Sequence, residues 1–100
     1  GLLGHSQPSD SLLVNRMEDI RETMLELLGD EGTRFHPGVI RRIRYATNVQ
    51  ALWYLRGDLM AVLARVHGEA SARRQVRTIT DMFRGVLPRS LTSRTHALHG

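Results

Sequence analysis

Apolar residues recur along this chain at alternating steps of three and four positions, and this spacing restricts its fold more than any other feature. Such steps repeat one face of an α-helix, whereas a half-buried strand alternates apolar and polar residues. No segment of the sequence alternates in that way. The first helical stripe consists of Leu13, Met17, Ile20, Met24, Leu27 and Leu28. The pattern therefore predicts an all-α fold.

The first helix is expected to begin near Ser11 and to end at Gly29 or Gly32, since glycine commonly follows the last turn of a helix. Residues 1–10 contain Gly, Ser and Pro without periodicity, which predicts a flexible arm. Residues 30–38 are polar and glycine-containing, which predicts a loop.

A short second helix is expected over about Gly38 to Ala46, with Pro37 in its first turn, where a missing N–H costs nothing. Its buried side chains are predicted to be Val39, Ile40 and Ile43. Asn48 then fits the N-cap of a new helix. A single helix running on through Thr47 is the alternative.

The third helix is expected to run from Val49 to His67. Its stripe consists of Leu52, Leu55, Leu59, Val62 or Leu63, and Val66. Gly57 lies in its middle, where glycine costs about 1 kcal/mol relative to alanine. This cost indicates either the close approach of a neighbour or a kink, and in a kinked helix Asp58 would be the N-cap.

The fourth helix is expected from Glu69 to Leu87, joined to the third by a tight turn at Gly68. Its buried side chains are predicted to be Ala72, Val76, Ile79, Phe83 and Val86. The fold class is therefore a small bundle of three long helices and one short one, with an antiparallel helical hairpin in its C-terminal half. Residues 11–88 are expected to form the bundle domain and residues 89–100 a flexible tail.

Composition and hydropathy exclude several classes of protein. A chain of 100 residues holds one domain, and the absence of cysteine removes disulfide scaffolds, thiol nucleophiles and Cys-containing zinc sites. The most apolar stretch, residues 49–66, contains Arg56, Asp58 and Arg65, so no membrane span is expected.

All basic residues are Arg, which is typical of a GC-rich bacterium. We expect a cytoplasmic domain, with export as part of a larger protein as the alternative.

The sequence contains no pattern that indicates catalysis or metal binding. No nucleophile lies at a readable spacing from a base, and no glycine-rich phosphate loop is present. His96 and His99 are three apart but have no carboxylate near them in the sequence, so they make an incomplete metal site. We therefore expect a protein that is not an enzyme, with no cofactor and no metal.

Charge is distributed unevenly along the chain. Residues 1–33 contain two Arg and seven acidic residues, a net charge of −5, whereas residues 34–100 contain twelve Arg and three acidic residues, a net charge of +9. Either the acidic first helix lies against the basic remainder and neutralises it, or a basic face is left open for nucleic acid, an acidic protein or anionic lipid.

Two sets of residues are candidates for binding. The expected protein-binding residues combine the aromatic and arginine types enriched in interfaces, and they are Trp53, Tyr54, Arg56, Arg41, Arg42 and Arg44. The alternative set is an arginine stripe on the fourth helix for an anion or nucleic acid, formed by Arg73, Arg74, Arg77 and Arg84. Trp53 has the further interpretation of a core side chain.

The expected function is a non-catalytic protein–protein interaction module, acting as an adaptor, regulator or assembly domain. Its ligand is expected to be a protein partner or a second copy of the chain. A nucleic-acid-binding regulator is the alternative. A helix-turn-helix is not supported, because the positions six and nine beyond Gly68, which that motif buries, are occupied by Arg74 and Arg77.

Overall fold

The computed structural model describes the backbone of residues 8–87 and the side chains of residues 12–87. These residues form a small all-α bundle, as the sequence predicts, with no strand in the described part. Its helices are α1 (Pro8–Phe35), α2 (Pro37–Tyr45), α3 (Val49–Tyr54), α4 (Arg56–His67) and α5 (Glu69–Met82). The rest of the predicted arm and the predicted tail, with His96 and His99, lie outside the described residues.

Helix α1 differs from the prediction at both ends. It begins at Pro8 rather than near Ser11, and it continues beyond Gly29 to Phe35. Gly29 has φ 58° and ψ −157°, a conformation that favours glycine, so the helix changes direction there and then resumes. The loop predicted over residues 30–38 is therefore wrong. The polar composition of these residues suggested a loop, but Asp30 and Glu31 also suit the first turn of a helix, where carboxylates stabilise the free N–H groups.

The connection between α2 and α3 follows the prediction. Pro37 is the first residue of α2, and the side chain of Asn48 accepts a hydrogen bond of 2.8 Å from the backbone N–H of Ala51. This cap starts α3, so the alternative of one helix running through Thr47 is wrong.

The helix predicted over residues 49–67 is interrupted at Leu55, two residues before Gly57. Leu55 keeps a right-handed backbone, and its N–H bonds to the carbonyl of Leu52 at 3.1 Å, which tightens one turn without a glycine. A Cβ at Gly57 would meet nothing within 4 Å, so no neighbour approaches closely there. Asp58 lies in the first turn of α4 but does not cap it. Its carboxylate binds Arg42 at 2.8 Å instead.

Helices α4 and α5 form the predicted hairpin, and Gly68 with φ 88° is the only residue between them. Helix α5 ends at Met82, before the predicted end at Leu87. The chain then turns through residues 83–86, where Gly85 has φ 85°. The buried ring of Phe83 still completes the stripe of α5.

The core is apolar and draws on every helix. Its buried members are Ile20, Met24, Leu28, Ile40, Ile43, Leu52, Leu55, Leu59, Val62, Leu63, Ala72, Ile79 and Phe83. All of them lie on the predicted stripes. The predicted burial of the α1 stripe is wrong only at its start, where Leu13 is 43% exposed and lines an open apolar hollow with Val49 and Val86. No described helix is both long enough and apolar enough to cross a bilayer.

Two arginines of α1 donate hydrogen bonds to the C-terminal ends of other helices. Arg16 donates to the carbonyl oxygens of Met82 and Arg84, at the end of α5. Arg21 donates to the carbonyl oxygens of Ile43 and Arg44, at the end of α2, both at 2.8 Å. The last carbonyl groups of a helix have no partner within it and carry partial negative charge, so a guanidinium group satisfies them well.

Candidate functional site

Within residues 12–87, the acidic side chains of α1 are not neutralised by contact with the basic part of the chain. Asp19, Glu22 and Glu26 are exposed, and of the α1 acids in this range only Glu18 forms an ion pair, with Arg21 of the same helix. Among residues 12–87, no ion pair joins an α1 carboxylate to an arginine of another helix. Both charged regions therefore remain on the surface of the described bundle.

One side of α2 carries a basic hollow with an aromatic edge. Helix α2 buries Ile43 and most of Ile40 against α1, and the helical period places Arg41, Arg44 and Tyr45 together on the outer side. The hollow has a volume of about 190 Å³. It is lined by Thr33, Pro37, Ile40, Arg41, Arg44 and Tyr45. We call this set the α2 hollow.

The polar groups of the α2 hollow are free to meet a ligand. Arg41 and Arg44 are exposed and form no ion pair within residues 12–87, and Tyr45 is 72% exposed. Arg42, the third arginine predicted for this site, is separate from them. Its guanidinium group binds Asp58 and so links α2 to α4.

The predicted group of Trp53, Tyr54 and Arg56 is divided by the structure. The Trp53 ring is half-buried and meets Phe83 edge to face at a centroid distance of 5.1 Å. The guanidinium carbon of Arg56 lies 3.3 Å from the centre of the indole ring, and Arg56 donates to the hydroxyl of Thr80 at 2.9 Å. Burial lowers the pKa of Arg56 from its usual value. Tyr54, by contrast, is 66% exposed.

Trp53 and Arg56 therefore join α3 and α4 to α5. A hollow of about 120 Å³ beside them is lined by Trp53, Thr80, Phe83, Arg84 and Leu87. Two of its walls, the rings of Trp53 and Phe83, already contact each other, so this cluster is a packing contact that reaches the surface.

The arginine stripe predicted on α5 is interrupted by local ion pairs. Arg73 binds Glu69 at 2.9 Å, and Arg84 binds Asp81 at 3.4 Å. Only Arg74 and Arg77 of the four are exposed without an ion pair in the described part of the chain. The free positive charge of this face is thus about half of what its arginine count indicates.

Sequence reasoning missed the role of Tyr45. Tyr45 is in neither predicted set of binding residues, yet it follows Arg44 directly and lies four positions after Arg41. Phe35 is also 65% exposed, with the guanidinium carbon of Arg34 at 5.8 Å from its ring centre. The signal was the position of Tyr45 on the charged side of α2, opposite the buried isoleucines.

Within the described residues, no group of three or more His, Asp or Glu side chains could hold a metal ion. Comparison of the chain with protein-family models, with curated proteins and with solved structures gives no match.

Proposed function

We propose that this chain is a non-catalytic protein–protein interaction module, an adaptor, regulator or assembly domain of a GC-rich bacterium, acting in the cytoplasm. The observation that carries the proposal is the α2 hollow, where two guanidinium groups without ion pairs and an exposed phenol surround an apolar floor. We assign the binding of an acidic segment of a partner protein to this surface.

The chemistry of the α2 hollow supports an acidic partner. A guanidinium group offers a planar fork of donors that matches both oxygens of a carboxylate. Arg and Tyr are enriched among the residues that dominate binding energy at interfaces, and Tyr45 adds a rigid amphipathic ring. Pro37 and Ile40 supply apolar area that an ion-pair surface alone would lack.

The first prediction tests this surface with a defined probe. The probe is a fluorescently labelled helical peptide whose successive helical turns carry glutamate and leucine in alternation. We expect it to bind at about 50 mM salt, where exposed charges are weakly screened. Removing both guanidinium groups in Arg41→Ala/Arg44→Ala should weaken binding at least about tenfold, measured by fluorescence anisotropy. The matched control Arg74→Ala/Arg77→Ala removes equal charge from α5 and should leave the affinity within about twofold.

Equal losses in both double variants would show that net charge alone attracts the peptide, and no binding by the unchanged protein would reject the proposed function.

A second candidate function, nucleic-acid binding, is supported by Arg74 and Arg77, the two α5 arginines without ion pairs. If they contact phosphates, a labelled duplex should bind at about 50 mM salt and dissociate toward about 200 mM. Arg74→Ala/Arg77→Ala should then lower the slope of log affinity against log salt by about two, one for each lost phosphate contact. An unchanged slope would exclude these arginines as phosphate ligands, and absence of duplex binding would leave the protein partner alone.

A further inference from the structure

An acidic stripe runs along the straight part of α1, before the bend at Gly29. Its residues are Asp19, Glu22 and Glu26, at steps of three and four, so their side chains follow one another on one face. All three are exposed, and none forms an ion pair within residues 12–87. We call these three residues the α1 acidic stripe.

The α1 acidic stripe and the α2 hollow match each other in charge and in spacing. Arg41 and Arg44 are three positions apart on α2, as Asp19 and Glu22 are on α1. Residues one turn apart on a helix have Cβ atoms about 5–6 Å from each other. Two carboxylates on one helix can therefore meet two guanidinium groups on the other at the same time.

These two surfaces cannot meet within one molecule. Helices α1 and α2 pack against each other, and Ile20, Met24 and Leu28 of α1 share one core with the two buried isoleucines of α2. The charged faces lie on the outer sides of the two packed helices, and Arg21 fixes the end of α2 against α1. Neutralisation of the stripe by the hollow thus requires a second molecule.

We propose that the α1 acidic stripe of one copy docks in the α2 hollow of a second copy. This inference rests on the proposed function, because it names the acidic partner of the hollow as the chain itself. The other basic face is a weaker partner for the stripe, since Arg73 and Arg84 are already held by Glu69 and Asp81. The hollow also brings Tyr45 and an apolar floor to the contact.

The proposed contact joins two different surfaces, and every copy carries both of them. Such a heterologous contact leaves one stripe and one hollow unused in each pair, so it can repeat and add further copies. The average mass should rise with protein concentration at about 50 mM salt. It should return to that of the 11.3 kDa monomer at about 500 mM salt, where screening shortens electrostatic interactions to a few ångströms.

Complementary charge reversal tests the contact by analytical ultracentrifugation at about 50 mM salt. Arg41→Glu/Arg44→Glu and Asp19→Arg/Glu22→Arg should each be monomeric alone, their association weakened at least about tenfold. An equimolar mixture should associate, because the unchanged stripe of the first variant meets the unchanged hollow of the second, and the reversed hollow of the first meets the reversed stripe of the second. Arg74→Glu/Arg77→Glu has the same net charge as the first variant and should self-associate like the unchanged chain. Circular dichroism establishes that each variant is folded.

If the unchanged chain stays monomeric at every concentration, the inference is overturned. It is also overturned if the mixture of the two charge-reversal variants stays monomeric while both variants are folded. Loss of association in Arg74→Glu/Arg77→Glu would overturn the assignment to the α2 hollow. These failures are distinct from failure of the proposed function, which is decided by binding of the acidic peptide to the same hollow.

Discussion

At the scale of single residues, two glycines inside helices meet opposite surroundings. A Cβ on Gly32 would lie 2.6 Å from the Cβ of Leu28, a distance that requires the helix to shift. A Cβ on Gly57 would meet nothing within 4 Å. The same substitution, glycine to alanine, should therefore change stability in opposite directions at the two positions.

We expect Gly32→Ala to lower the free energy of unfolding by about 1–3 kcal/mol, the usual cost of overpacking. Gly57→Ala should raise it by up to about 1 kcal/mol, because alanine loses less backbone entropy in a helix. Urea denaturation followed by Trp53 fluorescence measures both changes, with Gly57→Ala as the matched control for Gly32→Ala. Changes of the same sign would contradict the packing around Leu28.

At the scale of helices, the end of α2 depends on Arg21. Its guanidinium group joins the carbonyl oxygens of Ile43 and Arg44 to the carboxylate of Glu18, and its side chain is only 14% exposed. Arg21→Ala leaves these carbonyl groups without their charged donor, so we expect the free energy of unfolding to fall by about 1–3 kcal/mol in urea denaturation.

Arg41→Ala is the control for Arg21→Ala, because it removes the same side chain from an exposed position and should change stability by less than about 0.5 kcal/mol. Equal effects of the two substitutions would mean that the cap contributes nothing beyond charge.

The helices could be predicted from the sequence because burying one face of a helix makes apolar residues recur with the helical period, and the stripes through Ile20, Ile43 and Leu59 are all buried. The interruption at Leu55 could not be predicted, because it comes from one tightened turn at a residue type that favours helices. The helical segment after Gly29 was missed for a different reason. Its residues read as a loop by composition, while their acidic side chains also fit a helix start.

At the scale of the whole molecule, the site was predictable only in part. Tertiary packing determines which arginines form ion pairs with carboxylates, and the sequence does not show this. The sequence indicates Arg41, Arg42 and Arg44 as one cluster, but only the fold brings Asp58 of α4 to Arg42 and leaves the other two free. Tyr45 joins the hollow because α2 turns its isoleucines inward. The acidic stripe likewise remains a charged surface because, among the described residues, no arginine of another helix forms an ion pair with its carboxylates.

The adjacent residues Trp53 and Tyr54 should contribute very differently to the stability of the whole bundle. Trp53 connects α3 and α4 to α5 through Phe83 and Arg56, so Trp53→Ala should lower the free energy of unfolding by about 2–4 kcal/mol, less than a fully buried tryptophan. Tyr54→Ala is the control, since its exposed ring should change stability by less than about 0.5 kcal/mol. Urea denaturation followed by circular dichroism measures both without using the tryptophan signal. If Trp53→Ala instead keeps full stability, its ring contributes nothing to the core, and the hollow beside Phe83 becomes the better candidate for a partner surface.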